Sequence, residues 1–390
     1  MSAAEWIWAL LMGAAGLGTA YLLLSVALVR RFAAARAAAP STPPPDGVPP
    51  AITVLKPLHG VEPGLRENLL TLLQQDYRGP VRIVFGVQSG ADPAIRVVEA
   101  LRRAHPARDI ALVVDARQHG SNRKVSNLIN MAAHIVGEVV VLADSDIRVG
   151  PDYLSGLVAE LGRPGVGAVT CLYHGLASRS LWSRLSALGI DTHFLPGIVT
   201  GVAVGLATPC MGSTIALPRE TLERIGGLQV VANALADDYE LGAAVRRLGL
   251  SVAVPPFTLG HVCPEDNAAE LIRRELRWQR TIRQIDPLGH AGSLVTHPLA
   301  FALPALALGP GPAALALVVA AALSRLALCL AAERAFGLKP HPYWLIPARD
   351  LMSLLVFAAS FFGRGVDWRG HRFDVAPSGA LIPTTRPDPS

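Results

Sequence analysis

The chain has 390 residues, of which 51% are hydrophobic and only 17% are charged. This composition is too apolar for most soluble proteins, so part of the chain is expected to lie in a lipid bilayer. The formal net charge of +5 suits anionic partners, but no zinc-finger spacing and no basic helix interleaved with aromatic residues is found, which argues against a nucleic-acid-binding protein.

The first predicted element is a transmembrane helix at residues 6–29, a run of 24 residues without a charge. Such a run can cross the roughly 30 Å hydrocarbon core as a helix. It begins after Glu5 and precedes Arg30, Arg31 and Arg36, whereas a cleaved signal peptide would start with positive charge. Because basic flanks favour the cytoplasmic side, we predict a membrane anchor over residues 1–36 with the following chain in the cytoplasm.

A linker rich in proline and alanine is predicted over residues 37–50. Five β-rich runs then alternate with helical patterns, at residues 52–56, 81–87, 110–115, 138–144 and 166–173. The intervening segments repeat apolar residues every three or four positions, as in helices that cover a sheet. This alternation predicts an α/β fold with a mostly parallel sheet.

Two carboxylates, Asp144 and Asp146, end the fourth of these apolar runs. In an extended chain they project to the same face. At the carboxyl end of a parallel strand, where open α/β sheets bind ligands, they can hold a divalent cation such as Mg²⁺ or Mn²⁺ that also grips a diphosphate. The alternative is an Asx turn leading into a helix. Their position after a buried strand favours the metal.

A second acidic cluster, LADDYELG at residues 235–242, has the pattern of a helix start. Acidic residues there stabilise the positive end of the helix dipole, and from the local sequence this structural role is somewhat favoured. Two adjacent aspartates, Asp237 and Asp238, nevertheless exceed what capping needs. One of them could act as the general base for an acceptor hydroxyl.

A basic helix is predicted just before the C-terminal apolar segments, with Arg274, Arg277 and Trp278 on one face. Guanidinium groups suit a phosphate that becomes a leaving group, and tryptophan offers a flat surface to a sugar or an acyl chain. The alternative is a juxtamembrane helix that touches anionic lipid headgroups.

Two further polar residues lie beside predicted elements. Asp92 follows the second predicted strand and could contact a base or a ribose, although a helix cap is the simpler interpretation. Lys124 begins a predicted helix and could contact either phosphate or solvent.

Three apolar segments follow, at residues 294–309, 313–332 and 344–362. We expect two or three of them to enter the membrane, and the first is short enough to be re-entrant. Three crossings would leave the basic C-terminal tail outside, against the positive-inside tendency. We therefore predict membrane segments over residues 291–363 and a polar cytoplasmic tail over residues 364–390, in a multi-pass protein of the inner (cytoplasmic) membrane.

The order of these motifs resembles the ceramide glucosyltransferase family, glycosyltransferase family 21, and its bacterial members that glycosylate hopanoid lipids. The segments similar to that family are ITVLKPLHGVEPGL, DPAI, NRKVSNLIN, ADSDIRV and DDYELG. The similarity extends over nearly all of residues 51–290. Each motif alone is weak, and their order is specific.

The resemblance implies a GT-A-type nucleotide-sugar domain over residues 51–290. In this family pattern Asp92 contacts the uridine, and Asp144 and Asp146 handle the diphosphate and the Mg²⁺ or Mn²⁺ ion. Eukaryotic members often lack the second acid of the pair. The resemblance therefore implies that Asp146 strengthens metal binding in this chain, although the family does not require an acid at that position.

The resemblance also implies that Asp238 is the catalytic base, and that Arg274, Arg277 and Trp278 complete the donor and acceptor site. The implied reaction is an inverting transfer of glucose or N-acetylglucosamine from a UDP-sugar to a membrane lipid, either ceramide or a hopanoid such as bacteriohopanetetrol. The alternatives are a processive polysaccharide synthase, which needs more membrane helices, and a non-enzymatic membrane transporter or scaffold.

Overall fold

The computed structural model describes residues 2–38, 49–363, 365–368, 371–375 and 381–383. Most of the predicted linker and the rest of the predicted polar tail lie outside these residues. The chain divides into two compact units. The sheet unit comprises Pro40–Tyr173, Thr208–Pro264 and Trp368–Ser390, and the helical unit comprises Met1–Ala39, His174–Ala207 and Glu265–Asp367.

The strands are, in chain order, β1 (Ile52–Pro57), β2 (Val81–Val87), β3 (Asp109–Val114), β4 (Val139–Ala143), β5 (Ile147–Arg148), β6 (Val166–Thr170), β7 (Leu172–Ala177), β8 (Thr214–Pro218), β9 (Ser251–Ala253), β10 (Thr258–Cys263), β11 (Gly365–Trp368), β12 (His371–Val375) and β13 (Leu381–Pro383). The α-helices are α1 (Ala3–Ala38), α2 (Leu65–Leu73), α3 (Ala94–Ala104), α4 (Arg123–Met131), α5 (Tyr153–Leu161), α6 (Leu181–Gly189), α7 (Leu195–Ala203), α8 (Arg219–Arg224), α9 (Asp237–Arg247), α10 (Ala268–Ile285), α11 (Pro287–Gly292), α12 (Pro298–Leu308), α13 (Pro312–Phe336) and α14 (Ile346–Ser360). A π-helix, Ile190–Phe194, joins α6 to α7.

The sheet unit is built on a seven-stranded sheet in the order β3-β2-β1-β4-β8-β6-β9. Strand β1 pairs in parallel with β2 and β4, and β2 pairs in parallel with β3. Strand β8 runs antiparallel to both β4 and β6. The predicted α/β fold with a mostly parallel sheet is confirmed.

Strand β8 is an inner strand that the sequence did not indicate. It has only five residues, and an apolar run of that length cannot be assigned from periodicity alone. Strand β8 pairs antiparallel with β4, which lies more than 70 residues earlier in the chain. The long-range pairing, rather than the local pattern, therefore decides this part of the sheet.

The two faces of the sheet bury separate cores, because successive strand residues point to opposite faces. Val54 and Val141 belong to the core that α2, α3 and α5 cover. Leu55 and Val140 belong to the core that α4 and α9 cover. A sheet covered on both faces exposes mainly the ends of its strands, and the polar residues that follow β1 and β4 lie there.

The helical unit contains the helices that are long and apolar enough to cross a membrane. They are Ala3–Ala35, Leu181–Ala203 and Pro312–Phe336. A fourth candidate is the pair Pro287–Thr296 and Pro298–Leu308, which is bent by 56°. Helix α1 packs against α7, α12 and α13. The described helices thus include apolar segments of spanning length near both ends of the chain.

One candidate span was not predicted from the sequence, and one of the predicted apolar segments is not among the candidate spans. The segment Leu181–Ala203 was not predicted as a candidate, because Asp191 and other polar residues interrupt its apolar run. The predicted segment at residues 344–362 contains α14, whose 15 residues fall short of the length that a spanning helix needs.

A buried arginine inside the helical unit is paired with an aspartate. Arg325 is only 1% exposed. It forms an ion pair with Asp350, in which Nε of the arginine lies 3.0 Å from Oδ1 of the aspartate. The same guanidinium donates to the carbonyl of Thr192 at 2.9 Å, and His193 Nε2 lies 3.0 Å from Asp350 Oδ1. A charge in an apolar helix bundle is tolerated when it is paired in this way.

Candidate functional site

The Asp144-Ser145-Asp146 segment follows β4 as a turn whose main chain is held at every residue. Lys56 Nζ donates to the carbonyl of Asp144 at 2.6 Å. The side chain of Asn68 donates to the carbonyl of Ser145 at 3.2 Å, and the amide of Val262 donates to that of Asp146 at 3.0 Å. Because strands and helices of the sheet unit supply these donors, the two carboxylates are presented by a fixed backbone.

Lys124 connects this turn to the start of α9. The side chain of Asn122 caps α4 by accepting from the amide of Val125 at 3.0 Å, which places Lys124 in the first turn. Its Nζ lies 2.7 Å from Asp144 Oδ1 and 3.5 Å from Asp237 Oδ2. Burial alone would lower the pKa of Lys124, but the carboxylates around it raise that pKa above its usual value. Lys124 is therefore a permanently charged group of the site.

Asp238 lies in the first turn of α9 and is held by two main-chain donors. Its Oδ2 accepts from the amide of Gly212 at 2.7 Å, and its Oδ1 accepts from the amide of Tyr239 at 2.8 Å. Burial, with the charge of Asp237, raises the pKa of Asp238 to about 6, although Lys124 opposes the shift. A carboxylate with such a pKa can accept a proton near neutral pH.

Gly212 is the point on which these side chains converge. A Cβ built on Gly212 would lie 3.1 Å from Asp144 Oδ2, 3.1 Å from Lys124 Nζ and 3.3 Å from Asp238 Oδ2. A side chain at this position would crowd all three. Residues far apart in the chain thus form one small polar group, the Gly212 cluster, defined as Lys124, Asp144, Gly212, Asp237 and Asp238.

Asp146 lies on the other side of the turn, with its carboxylate 3.5 Å from Nδ1 of His261. The ring of His261 is 5.2 Å from that of Tyr173. The side chains of Asp144 and Asp146 are 34% and 37% exposed.

The donor set fits a divalent cation that shares its coordination with a ligand. Carboxylate oxygens are the hard ligands that Mg²⁺ and Mn²⁺ prefer. Among the described residues, no group of three or more histidine, cysteine, aspartate or glutamate side chains is arranged to hold a metal ion. Asp144 and Asp146 would therefore bind an ion whose remaining ligands are phosphate oxygens and water.

Asp92 occupies a different position at the same edge of the sheet, beside the loop that follows β1. Its carboxylate accepts from the amide of Gly60 at 3.0 Å and from the amide of Ala94 at 2.9 Å, at the start of α3. His59 Nδ1 lies 3.8 Å from it. The bond from the amide of Ala94 is the helix cap that was the simpler interpretation of the sequence. The bond from Gly60 places Asp92 beside the loop after β1, outside the Gly212 cluster.

The three residues of the predicted basic helix lie on α10 in the helical unit. Arg274 pairs with Glu265, donates to Ser186, and stacks on the ring of Trp278 with its Cζ 4.8 Å from the ring centroid. The stacking agrees with the prediction that Arg274 and Trp278 share one face. Arg277 follows in the same helix, where its carbonyl accepts from Thr281 Oγ1 at 2.9 Å.

Two residues near the carboxylates were not indicated by the sequence reasoning. Lys56 could have been noticed in the sequence, because a lysine near the end of an otherwise largely apolar strand is unusual. Gly212 had none, because a glycine between methionine and serine has no local pattern that predicts close packing against residues from three other segments.

Comparison with known proteins gives matches over most of the chain. The family model described as Glycosyl transferase family 21 matches residues 10–381. The chain is 23% identical over 211 residues to ceramide glucosyltransferase 1 of Caenorhabditis elegans, a match that covers 54% of this chain and 45% of the relative. It is 33% identical over 124 residues to a ceramide glucosyltransferase of Komagataella phaffii, covering 30% of this chain and 24% of the relative. The chain spans about half the length, or less, of these relatives.

Among solved structures, the chain is similar to a mannosyltransferase from Pyrobaculum calidifontis in complex with GDP-Man and Mn²⁺. The TM-score is 0.55 and the sequence identity 22%, over 90% of this chain and 99% of that one. At this identity the likeness concerns the fold, and it confirms the predicted GT-A-type architecture.

Proposed function

Because the chain belongs to glycosyl transferase family 21, we propose that it is an inverting hexosyltransferase that moves glucose or N-acetylglucosamine from a UDP-sugar to a hydroxyl group of a membrane lipid. The observation that carries this proposal is the convergence of Asp144, Lys124 and Asp238 on Gly212. It joins a carboxylate that could hold a metal ion, a fixed cation and a candidate proton acceptor within one small space.

Asp238 is the proposed general base. It accepts the proton of the acceptor hydroxyl as the oxygen of that group forms its bond to the anomeric carbon. The bond from that carbon to the diphosphate breaks, and its electron pair leaves with UDP. The raised pKa of Asp238, about 6, suits a base that must be ionised near neutral pH and still take up a proton.

The donor side is proposed to hold the charge that develops on the departing diphosphate. Lys124 supplies one positive charge beside Asp144. Asp144 and Asp146 would hold a divalent cation, which would act as a Lewis acid that neutralises charge on the phosphates. Preorganised charges of this kind stabilise the transition state more than the ground state, because the negative charge is greatest as the bond breaks.

The remaining roles follow the family pattern. We propose that Asp92 contacts the uridine, and that Arg274, Arg277 and Trp278 complete the donor and acceptor site. The relatives named as ceramide glucosyltransferases support ceramide as one acceptor, and a hopanoid polyol such as bacteriohopanetetrol is the other. The candidate spans support a water-insoluble acceptor, and Arg30 and Arg31 near the C-terminal end of the first span support a cytoplasmic active site at the inner membrane.

The test is mass spectrometry of lipids from hosts that express the wild type, Asp238→Asn or Asp109→Asn. Asp109 is an exposed aspartate of the same unit, paired with Arg82 at 2.8 Å, and serves as the matched control. A new hexosyl or N-acetylhexosaminyl lipid should appear with the wild type and the control, and should fall by roughly 10²- to 10⁴-fold with Asp238→Asn.

UDP binding by the purified variants shows whether the fold and the donor site are intact. Normal turnover of an Asp238→Asn protein that binds UDP would refute the role of Asp238. A polymeric product would instead support a processive polysaccharide synthase, and UDP-sugar neither hydrolysed nor transferred by the wild type would support a scaffold or transporter.

A further inference from the structure

Lys56 is a buried lysine beneath the Asp144-Ser145-Asp146 turn. It lies in β1, whose six residues are all buried, and it is 1% exposed. Its Nζ donates to the carbonyl of Asp144 at 2.6 Å. The charges of Asp146, Asp144 and Glu62 act on this ammonium group. A buried ammonium group is costly, so its position under two carboxylates calls for a physical reason.

We propose that Lys56 is a positioning residue whose buried charge sets the balance between cation binding and diphosphate binding at Asp144 and Asp146. The inference rests on the proposed function, because it takes those two carboxylates as the donor site. Lys56 weakens the attraction of the pair for a divalent cation and strengthens the attraction of the site for the diphosphate. It holds no proton that the reaction uses.

The hydrogen bond to Asp144 alone does not require a charge. The neutral side chain of Asn68 holds the next carbonyl, that of Ser145, and the neutral amide of Val262 holds that of Asp146. A neutral donor at residue 56 would fix the turn in the same way. What the ammonium adds is a long-range Coulomb effect on groups that it does not touch.

Lys124 cannot take over this role. Its Nζ contacts the carboxylates of Asp144 and Asp237 directly, and its side chain is 17% exposed. An incoming phosphate can therefore draw Lys124 away from Asp144. Lys56 is enclosed in the sheet and bound to a main-chain carbonyl, so its charge stays in place whether or not a donor is bound.

A charge effect and a purely structural effect predict different results when Lys56 is replaced. Loss of a structural support should loosen the turn and weaken the binding of both Mn²⁺ and UDP. Loss of the buried positive charge should strengthen the binding of Mn²⁺ to the free protein and weaken the binding of UDP without metal. The affinities for Mn²⁺ and for UDP therefore change in opposite directions only if the positive charge of Lys56 acts on the site.

The experiment compares the wild type, Lys56→Met and Lys56→Gln as full-length protein in detergent at pH 7. Asn68→Ala is the matched control, since it removes a hydrogen bond to the same turn without changing the charge. Mn²⁺ alone is titrated by calorimetry, and UDP is titrated in the presence of EDTA. Lys56→Gln keeps a hydrogen-bond donor, so it remains informative if Lys56→Met does not fold.

We expect both Lys56 variants to bind Mn²⁺ roughly three- to tenfold more tightly and UDP in EDTA weaker by a similar factor. Asn68→Ala should bind neither ligand more tightly. Parallel weakening of both ligands in the Lys56 variants, or no change in either, overturns the inference and leaves the proposed function standing. A wild type that binds no Mn²⁺ overturns the proposed metal at Asp144 and Asp146 together with this inference, while base catalysis by Asp238 is tested separately by its own variant.

Discussion

The main-chain amide of Gly212 donates a 2.7 Å hydrogen bond to Oδ2 of Asp238. The other oxygen of that carboxylate accepts from the amide of Tyr239 at 2.8 Å. Both donors are main-chain groups, so the carboxylate is held by backbone rather than by mobile side chains. The same glycine leaves space for Asp144 and Lys124, which makes the Gly212 cluster sensitive to small changes at this position.

Gly212→Ala is expected to lower the transfer rate with little effect on folding. The new methyl group would lie 3.1 Å from both Asp144 Oδ2 and Lys124 Nζ, so these side-chain ends must shift by a few tenths of an ångström. A misplacement of about 1 Å can cost 10²-fold in rate, and we expect a fall of about tenfold for this smaller shift. Steady-state kinetics and thermal unfolding measure the two effects. Gly162→Ala, whose Cβ would meet its nearest atoms at 3.6 Å, should leave both unchanged.

The pH dependence of kcat/KM should report the ionisation of Asp238 in the free enzyme. Below a pH of about 6 the base becomes protonated, so kcat/KM should fall as the pH falls. The charge of Asp237 contributes to the raised pKa, so Asp237→Asn should lower that pKa and extend activity to more acidic pH. A pH–rate profile recorded for both proteins gives the two inflections. An unchanged or higher inflection in Asp237→Asn would contradict the assignment of Asp238 as the base.

Lys124→Met should move the same inflection the other way. The charge of Lys124 lowers the pKa of Asp238, so its removal should raise that pKa above about 6 and restrict activity to higher pH. UDP should also bind roughly tenfold more weakly, because Asp144 and Asp237 lose their positive partner. The profile and a UDP titration measure these effects. Weaker UDP binding with an inflection at the wild-type pH would assign Lys124 to donor binding alone.

The ion pair inside the helical unit should be needed for stability. Arg325→Leu leaves Asp350 as a buried charge without its arginine partner and is expected to cost about 3–5 kcal/mol. The double variant Arg325→Leu/Asp350→Leu should lose less than the single variant, because no unpaired charge is left. Thermal unfolding in detergent compares these proteins with Arg334→Leu, an exposed arginine of the same helix. A double variant as unstable as the single one would show that the cost is packing rather than charge.

The sequence by itself determined the features that depend on neighbouring residues. Apolar runs alternating with helical spacing predicted the parallel strands β1 to β4, because side-chain periodicity is set by local backbone geometry. The long uncharged N-terminal segment predicted a helix of spanning length for the same reason. Asp144 and Asp146 stood out because they end a buried strand, where the fold class places ligands.

Only the tertiary structure decided which polar groups meet. Nothing local distinguishes Asp238 from Asp237, yet the amide of Gly212 binds Asp238, and Lys124 contacts Asp237. The same holds for strand β8 and for Lys56. Strand β8 pairs with β4, and Lys56 bonds to Asp144, and both partners are more than 70 residues away in the chain. Local patterns fix the conformation of a segment, whereas charges and hydrogen bonds act through space. The contacts within the Gly212 cluster therefore could not be predicted from local sequence, because they join segments that are far apart in the chain.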